Sequence, residues 1–134
     1  MDDPIRAKGA FADLVGYRLT KWERDLAEVS LCLEAHHMNR SGVMHGGVLT
    51  TLMDTACGYS GTFTPPEETP KRAFTLSLDC HFVSAAQTGE QLTARAWRTG
   101  GGRSLFFTRC EITAGDGRLV GQGEGVFKYI SKRG

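Results

Sequence analysis

Residues 26–33 alternate strictly, with Leu26, Glu28, Ser30 and Cys32 interleaved with Ala27, Val29, Leu31 and Leu33. A period of two marks a strand with one buried face. Residues 17–22 read as a strand before it, and Arg24-Asp25 as the turn of a hairpin joining the two. Further upstream, residues 10–15 read as a short helix stopped by Gly16. The period changes after a polar loop, residues 34–44. From about Gly46 to Ser60 the residues Val48, Leu49, Leu52, Met53, Ala56 and Cys57 form the broad apolar face of a helix. Residues 62–70, with Pro65-Pro66, break regular structure. Four strand-like runs complete the chain: 73–83, 91–98, 104–114 and 119–129. Their separators at 87–90, 99–103 and 115–117 carry glycine and suit hairpin turns. The predicted class is α+β: a curled, mostly antiparallel sheet of about six strands around one central helix.

At 134 residues the chain reads as a single domain, 1–134, with a core that needs no disulfide or metal. A charged fraction of 23% and a formal net charge of +1 lack the basic excess of a nucleic-acid binder. Cys32, Cys57, Cys80 and Cys110 form no CxxC pair and read as buried reduced thiols. No run of about 18 apolar residues is present, and the N-terminal Met-Asp-Asp-Pro-Ile-Arg lacks a signal-peptide core. A cytoplasmic protein with no membrane association is therefore expected.

The chemistry concentrates in residues 39–54, Asn-Arg-Ser-Gly-Val-Met-His-Gly-Gly-Val-Leu-Thr-Thr-Leu-Met-Asp. A helix opening on Gly46-Gly47 offers unpaired N–H groups and a partial positive charge, suited to an oxygen that gains negative charge. Asp54, inside an apolar helix, costs free energy unless paired or used. Gly47 and Asp54 share a helix face but lie roughly 10 Å apart along the axis. One chain therefore cannot bring both to one carbonyl, whereas two copies about a two-fold axis can, which predicts a site shared across a dimer. Gly58 and Gly61, near the same face, are expected to leave room for a partner or substrate.

Plainer readings exist for each residue. Gly46-Gly47 also suits a tight turn, and Asp54 could bond to Thr50, Thr51 or a neighbouring strand. His45 could be a satisfied interfacial histidine, and Asn39 could hold its own loop backbone. A zinc site from His36, His37 and His45 is disfavoured, because no further cysteine or histidine lies nearby in sequence.

The 39–54 string resembles the signature of the hotdog-fold thioesterases, specifically the acyl-CoA thioesterases of the phenylacetic-acid-degradation type. That signature has Asn, several residues, His-Gly-Gly, and then an acid. Phe74-Thr-Leu-Ser-Leu-Asp-Cys-His-Phe82, the following turn to Glu90, and Gly102-Arg-Ser-Leu-Phe-Phe-Thr108 extend the likeness, which covers roughly residues 10–130.

The resemblance implies hydrolysis of an acyl-CoA thioester. Asp54 matches the catalytic acid, as nucleophile or general base, and Gly47 the N–H that polarises the carbonyl. His45 and Asn39 match side chains beside the carbonyl and the acid, and Thr75 a hydroxyl near the reaction centre. Arg103 and Ser104 match positions that meet the nucleotide end of CoA. No cofactor is implied, CoA being part of the substrate, and the assembly implied is a homodimer paired into a tetramer. The acyl pocket is expected between helix residues near Asp54 of one subunit and residues 38–44 of the other. The turn Ser84-Ala85-Ala86 departs from the family in lacking proline. A hotdog dehydratase or hydratase and a non-catalytic acyl-CoA-binding module are the competing readings.

Overall fold

The computed structural model describes residues 9–130. Residues 1–8, on which the reading of the N-terminus rests, and 131–134 lie outside them. Helix α1 (Ala10–Val15) ends at Gly16, which adopts the left-handed conformation (φ 96) and donates its N–H to Ala12 O at 2.7 Å. Strands β1 (Arg18–Glu23) and β2 (Leu26–Cys32) form the expected hairpin. A single 3-10 turn, Ala35–His37, interrupts the loop before helix α2 (Gly46–Ser60). Strands β3 (Ala73–Phe82), β4 (Gln91–Gly101), β5 (Leu105–Ala114) and β6 (Leu119–Tyr129) follow. All pairings are antiparallel, in the order β1-β2-β4-β5-β6-β3. Every strand touches α2, so the sheet curls around the helix as the hotdog arrangement requires.

Small residues make that wrap possible. Ala27, Ala94 and Ala96 are fully buried on the inner face. On β6, a Cβ at Gly121 would press on Leu49 of the helix, and one at Gly123 would overlap Asp79 O and the Met53 sulfur. The helix can settle onto β6 only because those side chains are missing. Leu49, Leu52, Met53, Ala56 and Cys57 then pack against Phe106, Cys110, Ile112 and Val120. The last carbonyls of α2 are satisfied by side chains from the sheet: Trp22 Nε1 donates to Tyr59 O at 2.8 Å, and the Tyr129 hydroxyl to Gly61 O at 2.7 Å.

Two sequence expectations need correction. Gly61 leaves no room for a partner: it is buried, and a Cβ there would overlap the Phe106 ring. Gly58 differs: it is half-buried, and a Cβ there would make only an ordinary contact with Phe127 at 3.5 Å. Of the four thiols, all free, only Cys57 and Cys110 are buried, while Cys32 is exposed at the end of β2. No helix among the described residues is long and apolar enough to cross a membrane.

The proline-less turn after β3 is fastened by polar contacts instead. Ser84 Oγ donates to Leu119 O at 2.8 Å, and Val83 N–H to Val120 O at 2.9 Å. Arg118 reaches Glu90 at 2.6 Å, Asp116 at 2.8 Å and Ala85 O at 3.2 Å. Ala86 O in turn accepts from Met44 N–H at 2.7 Å, tying this turn to the loop that leads into α2. Glu90 is held below the ordinary carboxylate range, first by the Arg118 hydrogen bond and then by the Gln87 N–H. Asp116 is lowered too, first by the Arg118 backbone N–H.

Carboxyls whose folded pKa is depressed stabilise fully above their unfolded pKa, and lose that contribution as pH falls through the lowered value. Arg118→Ala is therefore expected to lower the melting temperature modestly at neutral pH. On acidification through the carboxylate range its curve should converge with that of the parent.

Candidate active site

His45 caps α2. Its backbone is extended (φ −62, ψ 137) and its Nδ1 accepts the Gly47 N–H at 2.8 Å. A ring that accepts through Nδ1 is neutral and carries its proton on Nε2, which points a donor away from the helix. The Gly47 N–H, read from the sequence as a free polarising group, is thus engaged by the neighbouring imidazole. Both glycines lie in tight surroundings: a Cβ at Gly47 would stand 3.0 Å from His45 Nδ1, and one at Gly46 would stand 3.3 Å from the Phe82 ring.

Asp54 lies two turns further along, half-buried, on the side of α2 that faces β3. Thr50 and Thr51 donate to Gly46 O and Gly47 O and leave the carboxylate alone. Its partner is Thr75, whose hydroxyl donates to Asp54 Oδ1 at 2.5 Å. Strict alternation along β3 would place Thr75 and Leu78 on opposite faces. The register slips between Thr75 and Ser77, leaving Leu76 as a bulge, so that Thr75 meets Asp54 while Leu78 and Cys80 still pack inward. Burial holds the Cys80 thiol above its usual pKa, so the sulfur beside the site stays protonated.

Asn39 holds its own loop. Its Oδ1 accepts the Ser41 N–H at 2.8 Å and the Val43 N–H at 3.3 Å, leaving the Nδ2 amino group without a partner among the described residues. His37 is buried and spends both ring nitrogens on backbone: Nδ1 accepts the Glu34 N–H at 2.9 Å, so the protonated Nε2 donates to Val15 O at 2.7 Å. It has no lone pair left for a metal. Among the described residues no three His, Cys, Asp or Glu side chains converge.

Arg103 lies at the opposite end of α2, in a cavity of about 970 Å³ beneath the 62–72 loop. Arg24, Lys71, Arg72 and Arg98 line the same cavity, with Asp25 as its single carboxylate. None of the five cations is ion-paired to a described carboxylate. Ser104 stands outside the lining, where it accepts from Lys128 Nζ at 3.5 Å. The sequence reading missed Arg24, Lys71, Arg72 and Arg98. The adjacent Lys71-Arg72 pair was a visible signal, but only the topology brings it to the ends of the two hairpins.

The edges of the sheet differ sharply. The outer edge, β1, presents Arg18, Thr20, Lys21 and Glu23 to solvent. At the other edge, among the described residues, β3 pairs with β6 alone, and it exposes Phe74 (48%), Leu76 (51%) and Phe82 (60%) beside Ser77, Asp79 and His81.

Residues 41–121 match the thioesterase superfamily. A provisionally named esterase of Pseudomonas aeruginosa is 32% identical over 99 residues, which cover 74% of this chain and 72% of that protein. Human acyl-coenzyme A thioesterase 13 is 28% identical over 92 residues, 68% of this chain and 64% of that protein. The structure of the PaaI protein from the phenylacetic acid degradation operon of E. coli superposes with a TM-score of 0.81. That superposition covers 92% of this chain and 86% of the other at 24% identity, a likeness of fold.

Proposed function

The chain belongs to the thioesterase superfamily, and on that premise we propose that it hydrolyses acyl-CoA thioesters at sites shared between two subunits of a homodimer. One observation carries the reading. Asp54, oriented by Thr75, lies beside the open apolar edge of β3, and roughly two helical turns from the helix start in its own chain. A second copy paired antiparallel along β3 extends the sheet and covers Phe74 and Leu76. The same pairing brings the partner's helix start toward Asp54. The exposed Phe107 on the outer face of β5 is an apolar residue that pairing of two such dimers would cover.

In this site the thioester carbonyl sits at the α2 N-terminus of one subunit. Its oxygen takes the Gly47 N–H in exchange for His45 Nδ1, and the unengaged Asn39 Nδ2 and His45 Nε2–H are further donors within the same loop. Asp54 of the other subunit supplies the oxygen chemistry. As general base it takes a proton from water, whose oxygen bonds to the carbonyl carbon. The C–S bond then breaks, and the sulfur leaves with that proton as CoA thiol. As nucleophile its free oxygen bonds to the carbonyl carbon and the C–S bond breaks, releasing CoA thiolate. Water then opens the resulting anhydride to the free acid and the Asp54 carboxylate, and gives up the proton that the thiolate takes. Oxygen-18 incorporation into Asp54 in a single turnover separates the two routes. Thr75 keeps one carboxylate oxygen fixed and the other free to act.

The nucleotide end of CoA is assigned to the cationic cavity. Ser60 and Gly61, at its rim, lie roughly 9–10 Å beyond Asp54 along α2. Arg72 immediately precedes β3, three residues and roughly 10 Å from Thr75. Both elements that meet at the acid therefore lead to the same five cations. Replacing Arg72 and Arg98 together with Ala is expected to raise KM for acyl-CoA about tenfold with little change in kcat, an effect that shrinks at high salt. Release of free thiol from a panel of acyl-CoAs tests the reading as a whole. Tight binding without any thiol release would favour a binding module instead.

A further inference from the structure

A second cavity, of about 340 Å³, opens where α1 approaches the start of α2. Gly47 and His45 form one side of it, Val48 and Thr51 the next turn of α2, and Leu14, Val15 and Met38 the opposite wall. Resting on the thioesterase reading above, we propose that this cavity, within one chain and not between residues near Asp54 and residues 38–44 of two subunits as the sequence suggests, holds the acyl group of the substrate, and that α1 sets which acyl groups are accepted.

A thioester held at Gly47 has two arms, and the two cavities differ in the chemistry that would receive them. The cationic cavity suits the phosphates. The smaller one is lined by no Lys, Arg, Asp or Glu. Of the three histidines that also line it, His36, His37 and His45, the last two accept backbone N–H groups through Nδ1 as neutral rings, so an uncharged acyl terminus suits it better than a charged one. Its aliphatic wall and its size, near the lower end of ligand pockets, fit an uncharged, apolar acyl group of short to medium length or a single ring. Leu14 is the most exposed large apolar side chain among the described residues, at 75%. It stands on the lip of the cavity, where an acyl chain would cover it.

The wall is fastened at one point. The buried His37 ring bonds to Val15 O, the last residue of α1, and His37 O accepts the N–H of His45, the residue that caps α2. One residue therefore fixes α1 relative to the carbonyl site. Beyond that link α1 is lightly anchored, with Ala12 its sole buried residue. His37 is here a positioning residue and Leu14 a specificity residue.

The test is calorimetric binding of S-(2-oxoalkyl)-CoA analogues, of butyryl to decanoyl length, to the full-length parent and to Leu14→Trp and Leu14→Ala. Leu14 is exposed, so neither change should disturb folding. Affinity of the parent should rise with chain length to a limit. Leu14→Trp should move that limit to shorter chains, at about tenfold in Kd for each methylene excluded, and Leu14→Ala to longer ones. An identical length profile in all three proteins would overturn the proposal. So would a change of molecular mass in Leu14→Trp, which would make α1 a subunit contact. Thiol release from the matching acyl-CoAs is read separately. Its absence alongside a shifted binding profile would sink the hydrolase reading while supporting the pocket.

Discussion

An Asp54→Asn protein should bind an acyl-CoA ketone analogue as tightly as the parent, and release thiol about a thousandfold more slowly. The substitution keeps the shape of the side chain and the Thr75 contact, since the amide oxygen can still accept the hydroxyl now 2.5 Å from Oδ1. What disappears is the free oxygen that, in the proposed mechanism, either takes a proton from water or attacks the carbonyl. The thousandfold loss corresponds to about 4 kcal/mol in the barrier. In the proposed site, binding rests on the cationic cavity and the helix start, which the change leaves untouched, so kcat should fall and the analogue Kd should hold. Single-turnover thiol release with calorimetry on the same preparation reads both quantities. A variant within about tenfold of the parent rate would remove Asp54 from the chemistry.

Leu76→Lys should yield a folded monomer with activity as low as that of Asp54→Asn. Leu76 sits at the bulge of an edge strand, half exposed, between Phe74 and the run toward Phe82. A lysine there places a charge on the edge that a second β3 would have to cover, the device by which natural edge strands block pairing. The polar β1 edge already carries such charges. Thr75, Asp54 and the helix start of the same chain remain as they were. Loss of turnover would therefore trace to loss of the partner rather than to damage at the acid. Light scattering gives the mass, circular dichroism the fold, and thiol release the activity. A dimeric, active Leu76→Lys protein would place the subunit contact elsewhere.

Periodicity and glycine spacing carried most of the fold. The α1 stop at Gly16, the span of α2 and the span of β6 match because each is bounded by a local signal: a left-handed glycine, a capping residue or a turn. Strand β4 runs on to Gly101 where Arg98 was the expected end, because a bulge at Thr99 lets Gly100 and Gly101 keep pairing with β5. The bulge at Leu76 is equally silent in the sequence. A residue inserted into one strand changes neither composition nor local propensity, and Thr75 reaches Asp54 only through it. The acid and the His-Gly-Gly opening were legible as a site. That His45 already occupies the Gly47 N–H was not, since it depends on one side-chain rotamer. Nor was the cationic cavity, whose five cations come from three separate stretches, 24, 71–72 and 98–103, and meet only when the sheet closes.

In the proposed site Asp54 of one subunit works with the helix start of the other. The most direct test is a purified mixed dimer, one subunit carrying Asp54→Asn and the other Gly47→Val, whose branched side chain fills the place of the carbonyl. Each homodimer should be inactive. In a shared site the mixed dimer keeps one complete pair, the intact Asp54 facing the intact Gly47, and should recover about half of the parent activity. A mixed dimer as inactive as the two variant homodimers would place the whole site within a single chain and overturn the shared site.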